Sequence, residues 1–123
     1  MNLENLQFRA WDKRTKLMND VTTIDLEQEI VFYHHWKYGH SKAIPFSDVI
    51  LLQYTGLKDK NDTEIFEGDI LKYRGECRPV VSHEASFGWI EGGYYIPFPM
   101  MCISEISNTE VIGNIYENED LLK

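Results

Sequence analysis

The sequence predicts a small, mainly β protein of one domain, with many short antiparallel strands wound into a strongly bent sheet or barrel. Three observations carry this expectation. Short β-forming segments recur along the chain, brief polar turns separate them, and their number and spacing suit a small antiparallel sheet or barrel. The length, 123 residues, is near the commonest size of a single domain. Three Trp, seven Tyr and six Phe supply the large buried areas that offset chain entropy lost on folding.

Taken in order, Phe8 to Asp12 alternates apolar and polar positions, and Lys13 to Lys16 turns the chain into Leu17-Met18, a hairpin. Val21 to Leu26 and Ile30 to Trp36 form a second apolar pair around Glu27-Gln28-Glu29; a short helix through Ile24 to Ile30 is the alternative. Tyr38 to Ser47 holds Gly39 and Pro45 with little periodicity, so it reads as a connection and a candidate mobile loop. Val49 to Tyr54 is an apolar run interrupted by one Gln, the pattern of a strand covered on both faces.

The stretch Gln53 to Ile70, QYTGLKDKNDTEIFEGDI, is dense in turn-formers and charge. Asp59, Asn61 and Thr63 alternate as the first ligands of a calcium loop would, but Glu64 and Ile70 stand where such a loop needs Gly and a bidentate acid. Asp59 to Asp62 reads instead as a polar Asx turn with Leu57 and Ile65 packing on either side, and Glu67-Gly68-Asp69 as a second turn. Strands follow at Asp69 to Tyr73, Cys77 to His83, Gly88 to Glu91 and Tyr94 to Phe98, with Gly92-Gly93 supplying the positive φ angles of a tight hairpin. Met101 to Ile106 and Val111 to Tyr116 complete the set around Ser107-Asn108-Thr109.

FRAWD at Phe8 to Asp12, Lys16 and Met18, QYTGLKDKN at Gln53 to Asn61, EIFEGDI at Glu64 to Ile70 and VIGNIYEN at Val111 to Asn118 together resemble the YopX family of phage and prophage proteins. The resemblance implies a β-rich fold with an SH3-like barrel core, additional N-terminal strands and short helical segments. It implies one YopX-like domain over residues 1–123, with N-terminal strands and a connecting loop at 1–46 and the barrel-like core at 47–117. The family brings no biochemical activity and no catalytic residue to carry over.

The chain's own chemistry excludes several classes. Twenty acidic residues against twelve Lys and Arg give a net charge of −8, which repels a phosphate backbone unless the cations are gathered on one face. MNLENLQ is not a signal peptide, and no apolar run reaches the ~18 residues that span a bilayer, so the expected location is the cytoplasm of the bacterial host. Cys77 and Cys102 have no CxxC spacing and read as reduced, buried thiols; a catalytic thiol would need a base such as His83. His34 and His35 point to opposite strand faces and cannot share one ion without a bend, and His40 leaves a third ligand unnamed. Glu64, Glu67 and Asp69 are the nearest approach to an acid cluster, and they read as solvated turn residues. No phosphate-binding glycine loop occurs, so no catalytic, cofactor or metal site is assigned, and the chain reads as non-enzymatic.

Two candidate surfaces remain. Arg9, Lys13, Arg14 and Lys16, interleaved with Phe8 and Trp11, could hold phosphates and stack bases; the plainer reading packs Phe8, Ala10 and Trp11 inward. Trp36, Tyr38, Trp89, Tyr94 and Tyr95 exceed what a small barrel hides and are candidate protein contacts. The leading expectation is an accessory module that binds a host or phage protein or assembles as a homo-oligomer. The alternative is a nucleic-acid role, either through the basic patch or by an acidic surface that imitates DNA toward a host DNA-binding protein.

Overall fold

The structure is a computed structural model and describes residues 6–34, 41–83, 85–101 and 103–122. The chain forms two compact units, residues 2–53 and 54–123. It is mainly β, in two antiparallel sheets.

In residues 2–53, β1 (Phe8–Asp12) and β2 (Leu17–Asp25) form the first hairpin, and β3 (Ile30–His34) and β4 (Ser41–Pro45) continue the meander. One device builds both of the first two turns. Asp12 Oδ1 accepts the amides of Arg14 at 2.9 Å and Thr15 at 3.4 Å, and Asp25 Oδ1 accepts those of Glu27 and Gln28 at 3.0 Å. Each four-residue loop then closes with a left-handed residue, Lys16 at φ 60° and Glu29 at φ 57°. A carboxylate that satisfies two turn amides and a final residue in the left-handed region together fix the strand register. This is why Ile24 to Ile30 is a hairpin and not a helix.

Residues 41–45, read from sequence as part of a loop, are a strand. Ile44 is fully buried with Ala10, Val31, Tyr33 and Val49, and its burial outweighs the loop signals of Gly39 and Pro45. Pro45 ends the strand, where its missing N–H costs no ladder bond, and a 3-10 turn at Phe46–Asp48 leads into β5 (Val49–Lys58). Residues 35–40, including Trp36, Tyr38, His35 and His40, lie outside the described residues.

In residues 54–123, β6 (Glu64–Phe66) folds back on the end of β5. Then follow β7 (Asp69–Tyr73), β8 (Glu76–His83), β9 (Ser86–Glu91) and β10 (Tyr94–Pro97), with β8 antiparallel to β7, β9 to β8 and β10 to β9. Arg74-Gly75 and Gly92-Gly93 are two-residue turns with positive φ at both positions, the geometry that matches the twist of the flanking strands. After a 3-10 turn at Phe98–Met100 comes α1 (Ile103–Ile106), not the strand expected over Met101 to Ile106. Pro97 and Pro99 remove ladder donors there, and Asn108 Nδ2 and Thr109 Oγ1 donate to the carbonyls of Ser104 and Ile106, which stabilises the end of the helical turn. β11 (Glu110–Asn114) returns to pair with β7. The core is Ile65, Leu71, Tyr73, Val80, Trp89, Phe98 and Ile106.

The expected closed SH3-like barrel is not formed. The strands lie in two open sheets, ordered β4-β3-β2-β1-β5-β6 and β10-β9-β8-β7-β11. Closure needs paired first and last strands, and the edges here resist pairing. β4 and β10 end in prolines, β6 is three residues long, and β11 carries a bulge between Val111 and Gly113.

Gly88 marks a close approach within the second sheet. A Cβ at this position would overlap the backbone carbonyl of Ile96 and sit 2.8 Å from the Tyr95 ring. Gly88→Ala is expected to lower stability by about 1–3 kcal/mol, measured by urea unfolding, because backbone and not a mobile side chain must yield.

Candidate functional site

The family-like blocks prove to be anchors of the backbone. Buried Asp59 accepts the amides of Asn61 at 2.8 Å and Thr63 at 2.9 Å on Oδ1, and on Oδ2 that of Val111 at 2.8 Å, which joins the loop to β11. The adjacent Lys60 donates its amide to Thr109 O and pairs with Glu110. Burial alone would raise the Asp59 carboxyl, but the three amides and the Thr63 hydroxyl outweigh it and hold the group below the usual carboxylate range. Its oxygens are committed to N–H donors, so the Asx-turn reading describes this loop and the calcium reading does not. No group of three His, Cys, Asp or Glu among the described residues is arranged to hold a metal ion.

The other blocks work in the same way. Asp69, almost fully buried, accepts the Phe66 amide at 2.8 Å across the Glu67-Gly68 turn. Asn114 Oδ1 accepts the amides of Tyr116 and Glu117, while Asn118 Oδ1 accepts that of Asn114. Gly113 leaves the room that the Asn118 side chain occupies. Glu67 accepts a 2.6 Å bond from the Ser82 hydroxyl, so Glu67 and Asp69 each serve a local role, and Glu64 opens β6.

In the candidate basic patch the ring is buried and one of the cations, Arg14, is paired with carboxylates. Trp11 is buried, Arg14 lies 3.6 Å from both Asp12 and Asp48, and the Lys13 ammonium reaches Ser47 O at 3.4 Å. Arg9 is half-buried, and Lys16 is exposed at the turn. The stacking ring and the cations are therefore not presented together.

The aromatic candidates divide. Trp89 is fully buried, 5.5 Å from the Tyr73 ring and 6.1 Å from Phe98, with the Arg78 guanidinium 4.5 Å above it. It is a core residue. Arg78 itself is pinned by Glu76 and Glu91 at 3.0 Å each. Tyr95 is half-buried, its hydroxyl 2.8 Å from Ser86 Oγ and its ring edge-on to His83. Tyr94 stands 76% exposed at the start of β10.

A feature that sequence reasoning missed lies at the other end of β10. A cleft of about 470 Å³ opens there, floored by Phe87, Phe98 and Ile106 and walled by Leu57 and Met101, with Thr55, Ala85, Ser86 and Pro99 at its margins. Its volume falls within the range of ligand and side-chain pockets, roughly 300–1,000 Å³. Beside it Met100 is 80% exposed, which makes Tyr94 and Met100 large apolar groups open to solvent on the same strand-and-turn unit. The run Phe98-Pro99-Met100-Met101 carried the signal: two consecutive methionines straight after a proline at a strand end have no periodic place in a core.

Among the described residues, the thiol and the imidazole considered from sequence are not brought together. Cys77 is a free, half-buried thiol near the start of β8, and His83 ends the same strand, a separation of roughly 20 Å in extended chain. Cys102 lies outside the described residues. Ser86 Oγ contacts Tyr95 OH and the His83 carbonyl. No helix among the described residues is long and apolar enough to cross a membrane.

Short antiparallel strands, carboxylates folded back on turn amides and an apolar cleft describe a small, mainly β protein. The family model described as YopX protein matches residues 7–123, and the chain belongs to that family. It is also similar to protein EF1440 from Enterococcus faecalis, known from a crystal structure, with 31% identity over 96% of this chain and 98% of that one and a TM-score of 0.70. No curated protein matches the chain.

Proposed function

We propose that this protein is a non-enzymatic accessory module of a phage or prophage that works by protein contact, through the surface around Tyr94, Met100 and the apolar cleft. The observation that carries this reading is the exposure of two large apolar side chains, Tyr94 and Met100, on the strand-and-turn unit that leads into an apolar cleft. Exposed Tyr supplies rigid contact area and Met an adaptable, polarisable one, and both are enriched at interfaces. The nucleic-acid alternative is weakened by the burial of Trp11 and by the ion pairs of Arg14.

The test is p-benzoylphenylalanine placed at position 94, 100 or, as a control, exposed position 61, with photo-cross-linking in the bacterial host. Discrete adducts to another protein or to a second copy at 94 and 100, and not at 61, are expected. No discrete adduct at 94 or 100, or the same pattern at all three positions, would remove the proposal.

A further inference from the structure

We infer that the cleft floored by Phe87, Phe98 and Ile106 takes a single apolar side chain of a cationic protein segment, an inference that rests on the protein-contact reading and names its partner class. Charge singles out this occupant. Residues 54–123, which form the whole cleft, hold 13 of the 20 acidic residues and 6 of the 12 basic ones, nearly all of the chain's net −8.

Three of those six cations are already engaged. Lys58 pairs with Asp62, Lys60 with Glu110, and Arg78 with Glu76 and Glu91. Asp59 and Asp69 are buried on amide donors, while Asp62, Glu117, Glu119 and Asp120 are exposed, so residues 54–123 keep a net negative surface, with Glu105 adjacent in sequence to Ile106 of the cleft floor. Such a field draws in Lys- and Arg-rich partners and turns away nucleic acid and acidic proteins. Charge alone binds weakly and without register; the cleft adds the apolar anchor point that fixes one segment in place.

The experiment is an NMR titration of the full-length, 15N-labelled protein with short synthetic peptides in which Lys and Arg flank one Trp or Leu. Two controls accompany them, one with Gly in place of the anchor and one with the cations changed to Glu. Saturable shifts at the amides of Phe87, Phe98, Met101 and Ile106 are expected. Affinity should fall at least about tenfold without the anchor, as the loss of one buried apolar side chain implies, and fall further with added salt. Pro99→Arg, on the exposed rim, should weaken binding of the cationic peptide with the fold unchanged by thermal unfolding.

Equal binding of the Gly-anchored peptide would overturn the inference in favour of plain charge attraction. So would shifts confined to residues outside the cleft, or cleft shifts that appear with protein concentration alone and mark a second copy. If the peptides fail while adducts at positions 94 and 100 persist, the cationic anchor is lost and the protein-contact reading stands; if the adducts are also missing, both fall.

Discussion

Trp89→Ala is expected to lower the unfolding free energy by about 3–5 kcal/mol, the range for truncating a fully buried aromatic, against a typical total of about 5–15. The side chain is wholly enclosed, and its removal takes packing from Tyr73 and Phe98 together. It also strips the nearly buried Arg78 guanidinium of the nearer of its two rings, leaving Tyr73 at 5.2 Å and the ionic partners Glu76 and Glu91. Urea unfolding monitored by circular dichroism measures the loss. Trp89→Phe should recover a substantial part of it. From the sequence alone, Trp89→Ala would be expected to weaken association and spare the fold; its burial reverses that expectation.

The second large effect belongs to Asp59. In Asp59→Asn, one carboxylate oxygen becomes an amide NH2, so the side chain can accept from Asn61 and Thr63 or from Val111 but no longer from both sides. At least one partly buried donor then loses its acceptor, at an expected cost of about 1–3 kcal/mol. The neighbouring Asn61→Ala, whose side chain is exposed in the same loop, should change stability by less than about 0.5 kcal/mol.

What the sequence discloses and what it conceals follow from the range of the interactions. The hairpin at Lys13 to Lys16, the Asx turn at Asp59 and the Gly92-Gly93 turn were legible because each is decided within a few residues. Asp59 to Val111 spans 52 residues, and nothing local announces that the second carboxylate oxygen has a partner there. The strand at Ser41–Pro45 was concealed because tertiary burial of Ile44 overrides weak local propensity. Open sheets and a closed barrel share the same short strands and turns; the difference lies in edges such as bulged β11, which only the pairing reveals. The cleft escaped notice for a related reason. Its walls come from β5, β9 and the turns around Phe98 and Ile106, segments brought together only by folding.

Whether the family blocks are backbone anchors is decided by the stability difference between wild type and Asp59→Asn, measured by urea unfolding from pH 7 down to pH 3. The Asp59 carboxyl titrates lower in the folded chain than in the unfolded one, so its contribution is fully present above the ordinary carboxylate value of about 3.9. It is lost as pH falls from there through the depressed folded value, because the folded state then takes up the proton less readily than the unfolded state. A gap of about 1–3 kcal/mol at pH 7 that narrows below about pH 4 is the expected result. A negligible gap at pH 7, or one that stays constant to pH 3, would contradict the role of this carboxylate as the charged anchor between the 59–63 loop and β11.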